Sequence, residues 1–343
     1  MAPWITDLDA LPLPDFSLAG GTADCVIGRK KTVMVQTSRG CPFDCSFCSV
    51  TGMFGKRFRH RSVESVLKEL RRYNTRDHFV FFSDDNFTAN KRHARELVEA
   101  MRREKLRFQW STQVRADLAK DPELVQLMKR AGCHTVFIGF ESVNPKSLTE
   151  MKKSQSLEDI HNAIRVLQAA RIHIHGMFVF GFEEDDWPTV EATVQLAREM
   201  KLTSVQLLIL TPLPGSELYE RLVSEGRITS WDWNLYDTHH VAFRPAGFTP
   251  FELQCAQVYG HTRLYTLPEG LKKLFTGRLV AASLSFYAWK INRDWQKRNQ
   301  AYLRELAASS HLSGTHAGGA PAGDGWIDAT RRPVPASPAV AAR

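Results

Sequence analysis

The sequence predicts an α/β fold, a partial (β/α)6 TIM-type barrel followed by a mainly helical C-terminal extension. Three observations carry that prediction. Between residues 32 and 210, short runs rich in β-branched and aromatic residues alternate with longer amphipathic runs, the signal for repeated βα units on a parallel sheet. The amphipathic runs open on residues that start helices. After Pro212, Leu213, Pro214 and Gly215 the alternation stops, and helices and loops rich in Trp and Tyr take over.

Taken in order, residues 1–30 hold no periodic run, only Pro12, Pro14 and the Gly20-Gly21 pair, and read as a linker or strap. Six strands follow, at residues 32–36, 78–83, 107–113, 134–139, 173–180 and 204–210. Helix starts are marked by Ser62, by Asp121 with Pro122 at the first helical position, by Ser156 and by Asp186. Each can accept a hydrogen bond from an unpaired backbone N–H of the first turn. With βα order throughout, ligands are expected on the loops after the strands, by analogy with the full eight-unit barrel. The barrel is placed at residues 31–215 and the helical extension at 216–310, with an apolar run at 279–289. From residue 311 to 343 the composition falls to Gly, Ala, Pro and Ser, too little apolar surface to order itself, and a disordered tail is expected.

With 343 residues, 43% of them hydrophobic, the chain can bury a large core, and no apolar run reaches bilayer length. The first sixteen residues carry three aspartates and no basic region, unlike an export signal, so a reducing cytoplasm is expected. The net charge of +8 suits nucleic acid, anionic lipid or merely a soluble basic surface and decides among none of them.

Cys41, Cys45 and Cys48 stand at the spacing C-x3-C-x2-C on the loop after the first strand. Three such thiolates can each hold one iron of a cubane 4Fe-4S cluster, and no fourth cysteine lies near to close the last iron. A purely structural cluster needs full ligation, so an open iron implies a small molecule that binds it. Other readings compete. Structural zinc needs a fourth ligand, for which His60 is the one neighbour. A disulfide is disfavoured because the remaining cysteines, Cys25, Cys133 and Cys255, are scattered, and an electron carrier would cluster four cysteines in a short chain.

With Phe47 at the aromatic position, residues 41–48 resemble the signature of the radical S-adenosylmethionine (SAM) superfamily, C-x3-C-x-aromatic-C. The resemblance implies the same partial barrel, a radical SAM core, with SAM chelating the open iron through its amino and carboxylate groups. It implies one-electron cleavage to a 5′-deoxyadenosyl radical that abstracts hydrogen from a substrate.

The resemblance also distributes roles over the strand ends. Ser83, Asp84 and Asp85 occupy the position of the family's GGE-like segment, where a carboxylate meets the SAM ammonium; the competing reading is an Asx turn ahead of the next helix. Glu141 and Ser142 fall where the family binds ribose, or else Glu141 caps the helix at Asn144-Pro145. Gln113 and Arg115 end the third strand, and Arg115 suits the SAM carboxylate or an anionic substrate, or a salt bridge with Asp117. Phe178 matches the adenine-lining position of a GxIxGxxE-like segment, against an ordinary core role. No catalytic residue is assigned.

Over residues 8 to about 245 the chain is most similar to the branch that includes cobalamin-dependent methylases and hopanoid or tetrapyrrole enzymes. Residues 8–15 resemble the linker that follows that branch's cobalamin domain; the domain and a D-x-H-x-x-G signature are missing from this sequence, so cobalamin is expected only from a separate subunit. The expected partners are a small-molecule substrate, lipid- or tetrapyrrole-like, and a flavodoxin- or ferredoxin-type electron donor meeting the basic run at residues 56–61. That run is otherwise a solvated surface. Aromatic and basic residues alternate from Tyr287 to Arg298, as in helices that contact a membrane periphery and also in packed terminal helices. A tRNA-modifying enzyme would bring an RNA-binding appendage, and none is visible, which argues against nucleic acid.

Overall fold

The structure, a computed structural model, describes residues 5–16, 26–27, 30–312 and 327–330; the Gly20-Gly21 pair, Cys25 and most of the 311–343 tail lie outside them. A two-residue β1 (Val26–Ile27), not foreseen, pairs antiparallel with β2 (Lys30–Val35). Two further short strands, β3 (Ser38–Arg39) and β4 (Arg59–His60), pair antiparallel and bracket the cysteine loop. The remaining strands, β5 (His78–Phe82), β6 (Gln109–Val114), β7 (Cys133–Glu141), β8 (His173–Phe180) and β9 (Ser204–Ile209), follow the predicted runs within about two residues. Seven strands hydrogen-bond in the order β1-β2-β5-β6-β7-β8-β9, and the six after β1 form the parallel, curled half-barrel sheet that the sequence predicts.

The crossover helices are α1 (Val50–Phe54), α2 (Val63–Leu70), α3 (Lys91–Arg103), α4 (Pro122–Arg130), α5 (Pro145–Glu150), α6 (Leu157–Ala169) and α7 (Trp187–Glu199). Ser62, Asp121, Ser156 and Asp186 are all N-caps, their side chains accepting from the backbone N–H three residues on. Ser156 and Asp159 complete a reciprocal capping box. The C-terminal extension adds α8 (Glu217–Ser224), α9 (Pro250–Leu264), α10 (Leu267–Phe275), α11 (Leu279–Arg298) and α12 (Gln300–Leu312).

The chain packs as two compact units, Met1–Phe140 with Lys153–Gly176, and Glu141–Lys152 with Met177–Arg343, so residue 215 falls inside the second. In the first unit, strand alternation sorts side chains onto two faces. Phe82, Phe87 and Trp110 are buried against one another with ring centroids 5.2–5.6 Å apart, and the Trp110 indole N–H donates to Ala131 O at 2.9 Å. On the other face, Phe81 of β5 and Phe137 of β7 meet edge-to-face at 5.6 Å although β6 runs between them. Phe81 is in register with Ser111, whose small side chain leaves room for the two rings to meet above it. The His175 ring lies 4.8 Å from Phe137.

In the second unit, β8 and β9 continue their ladder where Leu210 N–H donates to Phe180 O at 2.8 Å. The outer edge of β9 is covered by α9. Gln257 Nε2 donates to Leu207 O at 3.1 Å, Leu207 N–H donates to His261 Nε2 at 3.1 Å, and the Tyr265 hydroxyl both accepts from Val205 N–H and donates to Val205 O at 2.6 Å. Four helical residues rise ~6 Å and two strand residues span ~6.6 Å, so side chains spaced by four along α9 keep pace with alternate residues of β9. His261 can accept there because burial holds its pKa down to about 3 and keeps the imidazole neutral.

Candidate active site

The loop that carries Cys41, Cys45 and Cys48 begins at Gly40, whose φ is +87°. A Cβ at that position would lie 2.9 Å from Arg57 O and 3.0 Å from Gly55 O, both backbone atoms that cannot swing aside. Gly40→Ala is therefore expected to cost on the order of 2 kcal/mol of stability and to lower iron uptake per chain, read by urea unfolding and iron assay.

Two consecutive carboxylates clamp the approach to this loop. Asp84, fully buried at the end of β5, accepts from Thr37 N–H at 3.2 Å, from the Thr37 hydroxyl at 2.9 Å and from the Ser38 hydroxyl. Burial pushes its carboxyl up to about 6, against the pull of those donors. Asp85, half-buried, accepts from Gly40 N–H, and burial raises its carboxyl as well. Gln113 Nε2 supports the same corner by donating to Asp84 O at 3.4 Å, and the half-buried Ser83 is tied through its N–H to Val35 O at 3.0 Å. The structure thus gives Asp84 a different task from the ammonium contact expected of it: its oxygens are occupied inside the fold.

Arg115 reaches into the cysteine loop from the end of β6. Its guanidinium carbon lies 3.7 Å from the Phe43 ring centroid, one amino group is 3.7 Å from Cys45 Sγ, and the other donates to Lys153 O. The Asp117 carboxylate is 3.9 Å from Arg115 Nε, at the outer limit of an ion pair. Phe43 and Lys153 carried no signal in the sequence as members of the site; the first is an aromatic inside the cysteine spacing, the second is brought in by the turn before α6.

The three thiols are free, half-buried and close enough to influence one another's ionisation, with Cys48 also sensing Lys153. Burial pushes Cys48 up to about 11 and raises Cys41, so both are thiols at neutral pH and must lose protons when metal binds. Among the described residues no three His, Cys, Asp or Glu side chains converge on a single-ion point. A cubane does not ask for one, since it takes one thiolate per iron. His60, the fourth ligand of the zinc alternative, stacks on His93 at 4.0 Å and turns Nδ1 to Arg61 O at 3.2 Å.

Two of the four Lys and Arg side chains in the basic run at 56–61 turn inward. Arg59 is buried and donates to Ile5 O and Phe54 O, and buried Arg61 pairs with buried Glu69 and donates to Gln36 O. Lys56, paired with Asp44 at 2.6 Å, and Arg57 are left exposed. Phe47 is half-buried within the loop.

Glu141, Ser142 and Phe178 belong to the second unit. Glu141 is buried with φ +63°, uncommon for a glutamate, and it is not a helix cap: Asn144 caps α5, while the Ser142 hydroxyl accepts from Asn144 N–H at 3.0 Å. Phe178 has no exposed surface and packs among core side chains. Asp185, not singled out from sequence, repeats the Asp84 arrangement: buried, it accepts from Gly181 N–H at 2.9 Å, Phe182 N–H at 3.1 Å and the Ser147 hydroxyl at 2.7 Å, and burial pushes it up to about 6.

Residues 35–197 match the family model described as the Radical SAM superfamily. A protein of Pyrococcus horikoshii named as an uncharacterized methyltransferase is 31% identical over 79% of this chain and 59% of its own length. The bacteriochlorophyllide d C-12(1)-methyltransferase of Chlorobaculum tepidum is 33% identical over 68% of this chain and 51% of its own. The chain thus spans a little over half the length of these curated relatives. Among solved structures, the radical SAM methyltransferase TsrM of Kitasatospora setae, with cobalamin and a 4Fe-4S cluster bound, aligns over 57% of this chain and 40% of its own with TM-score 0.53 at 19% identity. The cobalamin-dependent enzyme OxsB aligns over 91% of this chain and 53% of its own with TM-score 0.57 at 14% identity, a likeness of fold. Signature, sheet, sequence match and fold agree: the chain belongs to the Radical SAM superfamily.

Proposed function

We propose that the protein is an enzyme that holds a 4Fe-4S cluster on Cys41, Cys45 and Cys48, binds SAM beside it, and uses the pair to abstract hydrogen from a small-molecule substrate. The observation that carries this reading is the loop itself: three free thiols, with no fourth beside them among the described residues, fixed from below by Asp84 and Asp85 and flanked by the Arg115 guanidinium. When bound, the cluster supplies one electron to SAM, which splits into methionine and a 5′-deoxyadenosyl radical.

The chain's own residues hold and shield. Ser83 and Asp85, both half-buried, are the side chains left to meet a ligand ammonium, while Arg115 supplies fixed positive charge for a carboxylate. Gln113, Glu141 and Ser142 are assigned to the polar parts of SAM, and Phe47 to the loop's apolar support. The face bearing Phe81, Phe137 and His175, with Met34 51% exposed on β2, suits a largely apolar substrate, lipid- or tetrapyrrole-like. Lys56 and Arg57 remain for a flavodoxin- or ferredoxin-type donor in a reducing, cytoplasmic setting.

A second reading, methyl transfer assisted by cobalamin from a separate subunit, is favoured by the names of the relatives, bacteriochlorophyllide and hopanoid methylases among them. One assay separates the two. Anaerobically iron-reconstituted protein is mixed with SAM and dithionite, with and without cobalamin, and products are read by mass spectrometry. Cluster-dependent 5′-deoxyadenosine supports the first reading, and S-adenosylhomocysteine formed only with cobalamin supports the second. Failure to load any four-iron cluster defeats both.

A further inference from the structure

Among the described residues, the three large apolar side chains most open to solvent are Phe275 (84%), Tyr287 (65%) and Leu279 (63%), all on the hairpin of α10 and α11. The exposed set extends along α10 as Leu267, Leu271, Leu274 and Phe275, spaced i, i+4, i+7 and i+8 and so on one helical face. Along α11 it continues through Leu284 and Ile291. The side chains these helices bury are small or polar: Gly270 on α10, and Ala281, Ala282, Ser285 and Gln296 on α11. An ordinary helix of a soluble domain turns its large apolar residues inward. This hairpin leaves most of its large apolar residues facing outward, while the half-buried Phe286 packs between its helices.

The arrangement is built in. A Cβ on Gly270 would come 2.6 Å from the Phe286 ring, so that ring seats directly on the α10 backbone, and Lys273 Nζ donates to Ser285 Oγ at 2.8 Å between the two helices. The hairpin is therefore a preformed platform with Phe275 and Leu279 bracketing its turn.

Charge identifies what the platform meets. Residues 267–298 carry seven Lys or Arg against two Asp or Glu. Lys273 and Arg278 are used internally, Arg278 donating to Lys201 O, but Lys272, Lys290, Arg293, Lys297 and Arg298 are exposed beside the apolar stripe. None of the described helices is long and apolar enough to cross a membrane. An apolar face rimmed by cations on a helix that does not span is the composition of an interfacial anchor. We propose that the α10–α11 hairpin docks the protein on an anionic bilayer surface, Phe275 and Leu279 entering the acyl boundary while Lys290, Lys297 and Arg298 sit among the headgroups. This docking is independent of the cluster chemistry.

Flotation of the full chain with phosphatidylglycerol-containing vesicles tests it, with pure phosphatidylcholine vesicles as reference. Wild type is expected to float with the anionic vesicles and to be released by salt. The variant Leu271→Ser/Phe275→Ser/Leu279→Ser should lose at least about tenfold in bound fraction with an unchanged circular dichroism spectrum, because the side chains removed are exposed. Lys290→Glu/Lys297→Glu/Arg298→Glu should lose the preference for anionic lipid. The proposal is overturned by wild type that stays in solution, by a serine variant that floats as well as wild type, or by a self-associated dimer that the serine variant dissolves while vesicles go unbound.

Discussion

Cys45→Ala is expected to abolish iron loading and SAM cleavage together while leaving the fold in place. A cubane on this loop takes one thiolate per iron, so two cysteines leave half the cluster unheld, and among the described residues the other two thiols, Cys133 and Cys255, are each buried, with burial pushing both up. Loss of a group supporting a metal ligand costs about 10–100-fold, and loss of the ligand itself should exceed that. Cys45 is half-buried in a loop outside the hydrophobic core, so circular dichroism and melting temperature should hardly move. Iron content, charge-transfer absorbance and 5′-deoxyadenosine yield make the measurement. A variant that still binds four irons per chain would remove the basis of the proposed function.

Asp84→Ala should be the most damaging substitution outside the cysteines. It strands the Thr37 N–H and the Thr37 and Ser38 hydroxyls in a buried site, at about 1–3 kcal/mol for each group left without a partner, and it frees the segment leading into Gly40. The expected result is a fall of several kcal/mol in unfolding free energy and poor iron uptake. Asp84→Asn, which keeps the shape, separates volume from charge through pH. Asp84 has a folded pKa of about 6 against an ordinary 3.8, so the folded state holds its proton more tightly than the unfolded chain. Its contribution is thus fully present below the unfolded pKa and is lost as pH rises toward 6, a decline of about 3 kcal/mol over that window. Asp185 titrates with the same sign. Denaturation midpoints between pH 4 and pH 7 should fall with rising pH in wild type and less steeply in Asp84→Asn; equal slopes would show that Asp84 ionises freely.

These two expectations mark where the sequence was legible. Strand runs and caps are local signals, and Ser62, Asp121, Ser156 and Asp186 cap the helices assigned to them because a short polar oxygen next to an orphan N–H acts over three residues. The cysteine loop is equally local. The task of Asp84 was not, because the sheet creates the proximity of its partners: Thr37 lies 47 residues away in the chain. Asp185 is local toward Gly181 and Phe182, and only its bond to Ser147, 38 residues off, depends on the fold. Composition alone also misread residues 56–61, where Arg59 and Arg61 look like surface charge but turn inward to backbone carbonyls and Glu69. Phe178, fully buried on β8, shows the opposite difficulty: in a strand, a motif position and a core position look alike in sequence.

The helix lying along β9 has a consequence for how many strands this protein can ever have. A parallel barrel that stops short leaves a row of backbone donors and acceptors ready to recruit a further strand, from another molecule as easily as from its own chain. Here Gln257, His261 and Tyr265 answer Leu207 and Val205 in place of a seventh parallel strand. Side-chain amide, imidazole and phenol act as terminators of polymerisation, so solubility at this margin is encoded in three residues of a helix and not in the sheet at all.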